Sequence, residues 1–268
     1  MRNLNHLSEI SQHYDTYIID LWGVMHDGIS LNSKAVEVVE KLSENSKKVV
    51  FLSNAPRPSL KVIEFLKKMK LNEKFLSKVI TSGEAAMKAI NQNKFGKKFY
   101  HLGPTRDQSL FEKVLSNKTS LEKCDYIICT GLFDKQENDL NYYKDLLKEY
   151  TSKKLICTNP DLIVHRGNVE ELCAGSIAKT FEKIGGKVIY YGKPYKEIYE
   201  LCFNQGDKVL AIGDNLRTDI KGANNVGIDS LFIYSGVHKK EIKNKTELQT
   251  LLEKYKVESN FLQEELKW

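Results

Sequence analysis

Tyr17-Ile18-Ile19-Asp20-Leu21-Trp22-Gly23-Val24-Met25-His26-Asp27-Gly28 decides how the rest of the chain is read. Its first residues are apolar and β-branched, the composition of a strand buried on both faces. The run ends at a carboxylate, Asp20, which is followed by an aromatic residue, a glycine and a polar turn. A carboxylate at the C-terminal end of a buried strand packs poorly. It is well placed for chemistry, because open α/β sheets bind ligands outside the carboxyl ends of their strands. An aspartate can also simply cap the following turn, so downstream residues must decide.

Working outward, further strand-like runs alternate with helical spacings. The pattern predicts strands at 14–20, 48–53, 79–82, 98–102, 125–129, 154–157, 187–191, 208–213 and 229–234. It predicts helices at 1–13, 33–45, 84–91, 139–150, 172–184, 218–225 and 246–255, with others after Pro58 and after Pro194 to about 204. Gly185-Gly186 reads as a helix stop, and Thr246 with Gln249 as a capping box. Phe261, Leu262 and Leu266 in the charged tail can dock on the body. Alternating strands and helices predict a parallel sheet with right-handed crossovers, hence an α/β fold. The middle of the chain repeats the pattern on a smaller scale.

A chain of 268 residues holds one large domain or two modest ones, and a hydrophobic fraction of 41% is that of a globular protein. The net charge of +6 comes from scattered lysines that form no dense stripe. This reads as solvated surface that attracts small anions, not as a nucleic-acid footprint. Five cysteines without paired short spacings read as reduced core residues of a cytoplasmic protein, not a zinc site or a disulfide frame. No apolar run approaches membrane-spanning length, and the first residues form no signal core, so no membrane partner is expected.

Four strand ends present polar groups: Asp20, Ser53-Asn54, Lys193, and Asp214 with Asp219 close behind. In one parallel sheet all would lie on the same edge. Together they offer a nucleophilic carboxylate, a hydroxyl with backbone amides, a fixed cation, and an acidic pair for a hard cation. Phosphoryl transfer asks for such a set, because the transferred oxygens need donors and positive charge and Mg²⁺ needs carboxylate oxygens.

The segment Gly213-Asp214-Asn215-Leu216-Arg217-Thr218-Asp219-Ile220, with Phe51-Leu52-Ser53-Asn54-Ala55-Pro56 and Gly192-Lys193-Pro194, resembles motifs of the haloacid-dehalogenase superfamily of aspartate-nucleophile hydrolases. The likeness is closest to its class with a large inserted cap, the sugar- and nucleotide-phosphatase-like (NagD-like) branch. Thr158-Asn159-Pro160-Asp161 fits as well. The resemblance implies a Rossmann-like three-layer α/β/α core at 1–82 and 187–268, and an inserted smaller α/β cap domain at 83–186. It implies Asp20 as nucleophile and Lys193 as its charge balance. It implies phosphate binding by Ser53, Asn54, Ala55 and Lys193, and Mg²⁺ held by Asp20, the Trp22 carbonyl, Asp214, Asp219 and Asn215. The cap loop would contact the substrate through Asn159, Asp161, His165 and Arg166, although His165 and Arg166 also read as plain exposed loop. The implied partner is a small phosphorylated substrate. Caps of this class often pair, which raises a homodimer through the cap.

One departure stands out. The family carries a second aspartate two residues after the nucleophile, and that residue protonates the leaving oxygen. Such general acid–base work contributes roughly 10²–10⁴-fold. Here the position is Trp22. His26 and Asp27 lie beyond it and read first as a turn with Gly28. The expected activity is a Mg²⁺-dependent phosphatase working through an aspartyl-phosphate. Its rivals are a hydrolase of the same fold with altered chemistry (a dehalogenase, or one specific for good leaving groups) and a phosphate-binding protein without turnover.

Overall fold

The structure is a computed structural model describing residues 1–268, the side chain of Ser109 excepted. In chain order the strands are β1 (Arg2–Asn3), β2 (Thr16–Ile19), β3 (Lys48–Ser53), β4 (Val79–Thr81), β5 (Phe99–Leu102), β6 (Tyr126–Cys129), β7 (Lys154–Cys157), β8 (Ile163–Arg166), β9 (Val169–Leu172), β10 (Lys187–Tyr190), β11 (Val209–Gly213), β12 (Asp229–Ile233) and β13 (Phe261–Gln263). The α-helices are α1 (Ser33–Glu44), α2 (Ser59–Lys68), α3 (Ser82–Asn91), α4 (Leu140–Leu147), α5 (Ala174–Lys183), α6 (Lys196–Tyr199), α7 (Lys221–Val226) and α8 (Lys245–Tyr255).

Seven strands form an all-parallel sheet in the order β1-β13-β12-β11-β2-β3-β4. From β2 the chain builds outward through β3 and β4, and later through β11, β12 and β13 on the other side. The strand order therefore reverses between β2 and β11, the position at which a crevice opens above the sheet. Successive side chains of a strand face opposite layers. Ile19 and Phe51 accordingly pack with Val38, Leu42 and Leu66 of α1 and α2. Ile18, Val50 and Leu52 pack with Ile198, Tyr199 and Ala223 of α6 and α7. The three-layer α/β/α expectation is met.

A second sheet, β10-β7-β6-β5, is also wholly parallel. Ile127, Cys129 and Leu155 face α4 and α5, whereas Tyr126, Ile128 and Ile156 face Ile90 of α3, Phe99 and Phe111. From this unit projects a two-stranded antiparallel hairpin, β8–β9.

The structure corrects several expectations. The strand near 187 is expected in the main sheet, yet β10 pairs in register with β7 of the smaller one. Val188 and Tyr190 pack on the smaller core, so the chain returns to the large sheet only beyond residue 190 and the boundary at 186/187 is too early. Lys193 consequently does not end a strand of the main sheet. The expected leading helix is instead β1 followed by short 3₁₀ turns at Leu7–Glu9 and Ser11–His13. Leu172 belongs to β9 and not to a helix. The helix after Pro194 ends at Tyr199. Asn244, not Thr246, caps α8 by accepting a hydrogen bond from the Glu247 amide at 3.0 Å. Sequence periodicity missed the 3₁₀ turns over Thr105–Asn117, which are broken by a kink at Val114, the β8–β9 hairpin and β13.

Candidate active site

The site forms where β2 and β11 end side by side. The Asp20 amide donates to the Ile212 carbonyl at 2.9 Å, the last rung between the two strands, and leaves the carboxylate at the sheet edge. Asp214 follows β11 directly, and a wide π-helical turn, Leu216–Ile220, carries Asp219 back beneath it. Asn215 caps that turn by accepting from the Arg217 amide at 3.0 Å, and its own amide donates to Asp219 at 3.1 Å. Gly23 has a φ of +89°, and a Cβ there would come within 2.0 Å of an Asp214 oxygen, so only glycine lets the loop pass. A Cβ on Gly236 would likewise meet Asp214 at 2.0 Å.

Lys193 reaches this cluster from the segment after β10. Its Nζ donates to Oδ1 of Asp20 and to Oδ1 of Asp219, each at 2.6 Å, and only 2% of the residue is exposed. Its backbone is clamped by Asn54, which accepts from the Lys193 amide at 2.8 Å and donates to the Lys193 carbonyl at 3.2 Å. Burial pushes the carboxyls of Asp20, Asp214 and Asp219 up from their ordinary range, and the lysine partly offsets this for Asp20 and Asp219. Burial alone would lower the Lys193 ammonium, but the charges of Asp20 and Asp219 outweigh it and hold it well above its usual value.

Asp20, Asp214 and Asp219 each offer an oxygen within 4.8 Å of the others. Three buried carboxylates face one ammonium, a formal excess of two negative charges. Hard oxygen donors with that excess fit Mg²⁺, and the Val237 amide, 2.6 Å from Asp214 Oδ2, orients one of them.

The other expected residues fall into two groups. Ser53 is buried at the end of β3 and its Oγ accepts from the Ala55 amide at 3.1 Å. Asp161 reaches across from the smaller unit, where its Oδ1 accepts from the side-chain amides of Asn54 at 3.2 Å and Asn215 at 3.4 Å. Asn159 shapes that loop by accepting from the Asp161 amide at 3.0 Å. His165 and Arg166 lie on β8 and line the cleft, but Arg166 is engaged by Glu171, with Nε 2.7 Å from Oε1. Asp27 accepts from the amides of Ile29 and Ser30 at 2.9 and 2.8 Å, so its turn reading holds. His26 is buried between the rings of Trp22 and Phe65, and burial pushes its imidazole down to about 4.

Two further residues carry no sequence signal. His238 Nε2 accepts from the Leu216 amide at 3.2 Å, at the mouth of the Asp219 turn, and its Nδ1 donates to Glu241 at 2.7 Å. Arg57, just past Ser53-Asn54, donates to the buried Asp107 of the smaller unit at 3.0 Å. Neither belongs to a strand end, the feature that marks the other site residues in the sequence. The whole arrangement opens into a cleft of about 1200 Å³ between the two units.

Comparison with known proteins finds relatives over most of the chain. Residues 17–115 match a family model described as haloacid dehalogenase-like hydrolase, and residues 190–255 match a second, described as HAD-hydrolase-like. The acid sugar phosphatase of Staphylococcus epidermidis is 27% identical over 236 residues, covering 84% of this chain and 88% of that protein. The 5'-nucleotidase YutF of Bacillus subtilis is 25% identical over 241 residues, covering 85% and 90%. The crystal structure of a haloacid dehalogenase-like hydrolase from Brucella suis superposes with a TM-score of 0.87 at 26% identity, covering 98% of this chain and 99% of that one.

Proposed function

We propose, from the premise that this chain belongs to the haloacid dehalogenase-like hydrolases, that it is a Mg²⁺-dependent phosphatase of a small phosphorylated metabolite. The observation that carries the proposal is the buried lysine bridging Asp20 and Asp219 beside Asp214. Relatives named as a sugar phosphatase and a 5'-nucleotidase support a sugar phosphate or a nucleotide as the substrate class.

In this reading Asp20 attacks phosphorus. A bond forms from the carboxylate oxygen as the phosphorus–oxygen bond to the leaving group breaks, giving an aspartyl-phosphate. Water then attacks that phosphorus, and Asp20 departs as a carboxylate. Lys193 holds Asp20 in line, and its charge opposes the repulsion between carboxylate and phosphate. Ser53 Oγ and the amides of Asn54 and Ala55 take the transferred oxygens. Mg²⁺, held by Asp20, Asp214, Asp219 and the Trp22 carbonyl, with Asn215 ordering its surroundings, would supply the positive charge that phosphoryl transfer requires. The smaller unit, from about 83 to 191, acts as the cap that excludes water, with Asn159, Asp161 and His165 toward the substrate. Five buried, unpaired cysteines support a reducing compartment, and we place the enzyme in the cytoplasm, where it meets its substrate without a membrane or nucleic-acid partner. No helix of the described residues is long and apolar enough to cross a membrane. A homodimer through the cap is part of the proposal, to be read from the mass in solution.

The test is release of para-nitrophenol from its phosphate with Mg²⁺ or with EDTA, in wild type and Asp20→Asn. Metal-dependent turnover that disappears in Asp20→Asn is expected. Metal-independent halide release from a 2-haloalkanoate, assayed alongside, would favour the dehalogenase reading, and tight phosphate binding without turnover the binding-protein reading.

A further inference from the structure

We propose that Trp22, which stands where the family resemblance places an acid–base aspartate, is a clasp that seats the β8–β9 hairpin on the core loop 22–29 and keeps the cap closed over Asp20. The contact itself rests on geometry. Its effect on turnover rests on the phosphatase reading.

Trp22 is half-buried, and its polar handle is satisfied from the other unit: the indole Nε1 donates to the His165 carbonyl at 2.8 Å. The Arg166 guanidinium lies 5.0 Å from the centre of the indole, within cation–π range. Arg166 also donates to the Gly28 carbonyl at 3.2 Å, and the Gly167 amide donates to the Asp27 carbonyl at 3.0 Å. Glu171 fixes the guanidinium through bonds of 2.7 and 3.4 Å, so the fork is held in place before it meets the ring. On the core side a Cβ at Gly28 would sit 2.5 Å from the indole, which means the loop runs directly against the ring. The His26 ring meets it edge-on at 5.2 Å.

A tryptophan that merely filled a core gap would find its N–H partner at home. This one finds it 143 residues away, on a hairpin whose base is tied to the smaller unit at Leu162 and Leu172 and whose far end meets the core loop. A two-stranded hairpin is marginal by itself, and this one leaves Val169 63% exposed. The core loop is therefore what holds its far end, at Arg166 and Gly167. An aspartate at position 22 has no N–H to give the His165 carbonyl and no face to offer Arg166. The exchange has replaced a proton donor by a fastener. An indole hydrogen bond and a partly desolvated cation–π contact together favour the closed cap by about tenfold or more.

Trp268→Phe leaves Trp22 as the sole tryptophan, because the chain has two. In that background Arg166→Met should raise acrylamide quenching of Trp22 at least twofold and red-shift its emission, while Arg166→Lys, which keeps a cation, should lie between. These readings need no substrate. With para-nitrophenyl phosphate, Trp22→Phe and Arg166→Met should each raise KM more than they lower kcat, and the double variant should be no worse than the poorer single. Quenching unchanged in Arg166→Met, or losses that multiply in the double variant, would overturn the clasp. Absence of turnover in wild type sinks the phosphatase reading instead, and the fluorescence then decides the clasp alone. If Arg166→Met does not fold, Arg166→Lys tests the clasp through its partial shift, and quenching unchanged there would overturn it.

Discussion

Replacing Lys193 by methionine keeps an unbranched stem out to Cε and removes the ammonium with its charge. The ammonium makes two charge-assisted hydrogen bonds, each 2.6 Å long, to Asp20 and Asp219. Bonds to charged groups contribute about 1.5–3 kcal/mol each, so about 3–6 kcal/mol of interaction disappears. At 1.36 kcal/mol per decade the whole interaction would be worth roughly 10²–10⁴ in rate, and because only the part that is stronger in the transition state enters kcat, a loss of up to that size is expected. Stability should fall as well, because removing one partner of a buried ion cluster costs about 3–5 kcal/mol. The sign of the pH effect follows from the same charge. Lys193 lowers the Asp20 pKa, so its loss raises that pKa further, and the acidic limb of the rate profile should move to higher pH. The assay is para-nitrophenyl phosphate hydrolysis across pH at fixed Mg²⁺, with thermal melts alongside. Lys193→Arg keeps the charge in a space cut for an ammonium, and it should lose less than Lys193→Ala. A Lys193→Met enzyme within about fivefold of wild type, its acidic limb unmoved, would refute the charge argument.

Two further outcomes are expected. Across phosphate esters of graded leaving-group pKa, wild type should show a steep dependence and Trp22→Asp a flatter one, with alkyl esters gaining up to about 10²-fold before any loss from the undone clasp; a flat wild-type series would mean another group already supplies the proton. His26 is held neutral by burial, its pKa lowered to about 4, so the stability it secures is complete above the unfolded value of about 6.5 and drains away as the pH falls from there toward 4. Denaturant melts at pH 7 and pH 4.5 should show His26→Gln losing less than wild type over that interval, by up to about 3 kcal/mol, and parallel losses would show that His26 contributes nothing to the acid sensitivity.

The sheet was legible because its strands are short, continuous apolar runs, and their ends carried most of the site. Asp20, Ser53 and Asp214 could be placed from that pattern alone. Pairing partners could not. The run at 187–190 has the same apolar signal whichever sheet it joins, and only the three-dimensional packing of Val188 and Tyr190 assigns it to the smaller one. The hairpin was missed for a related reason: Ile163-Val164-His165-Arg166 and Val169-Glu170-Glu171-Leu172 are half-polar strands with no buried face to impose alternation. His238 and the Val237 amide gave no signal, because a single histidine or a backbone donor in a loop has no period to read.

Asn54 links the ends of the cleft to its centre. One side-chain amide accepts from the Lys193 N–H, donates to the Lys193 carbonyl and donates to Asp161 of the smaller unit. Its Oδ1 and Nδ2 thus fix the lysine backbone on one side and touch the smaller unit on the other. Lys193 can bridge Asp20 and Asp219 only from that backbone position. The contact to Asp161 is long, at 3.2 Å, and is shared with Asn215 at 3.4 Å, whereas the bond to the Lys193 amide is short, at 2.8 Å. On the proposal that the smaller unit opens as a cap, the contact to Asp161 breaks while the 2.8 Å bond from the Lys193 amide keeps the lysine seated. The two sides of the cleft are held by different chemistry: Trp22 and Arg57 tie the outer rim, and amide-to-carboxylate bonds close the inner one. In the proposed mechanism, a smaller unit fastened at the rim releases product without dismantling the charge arrangement that attack by Asp20 would need.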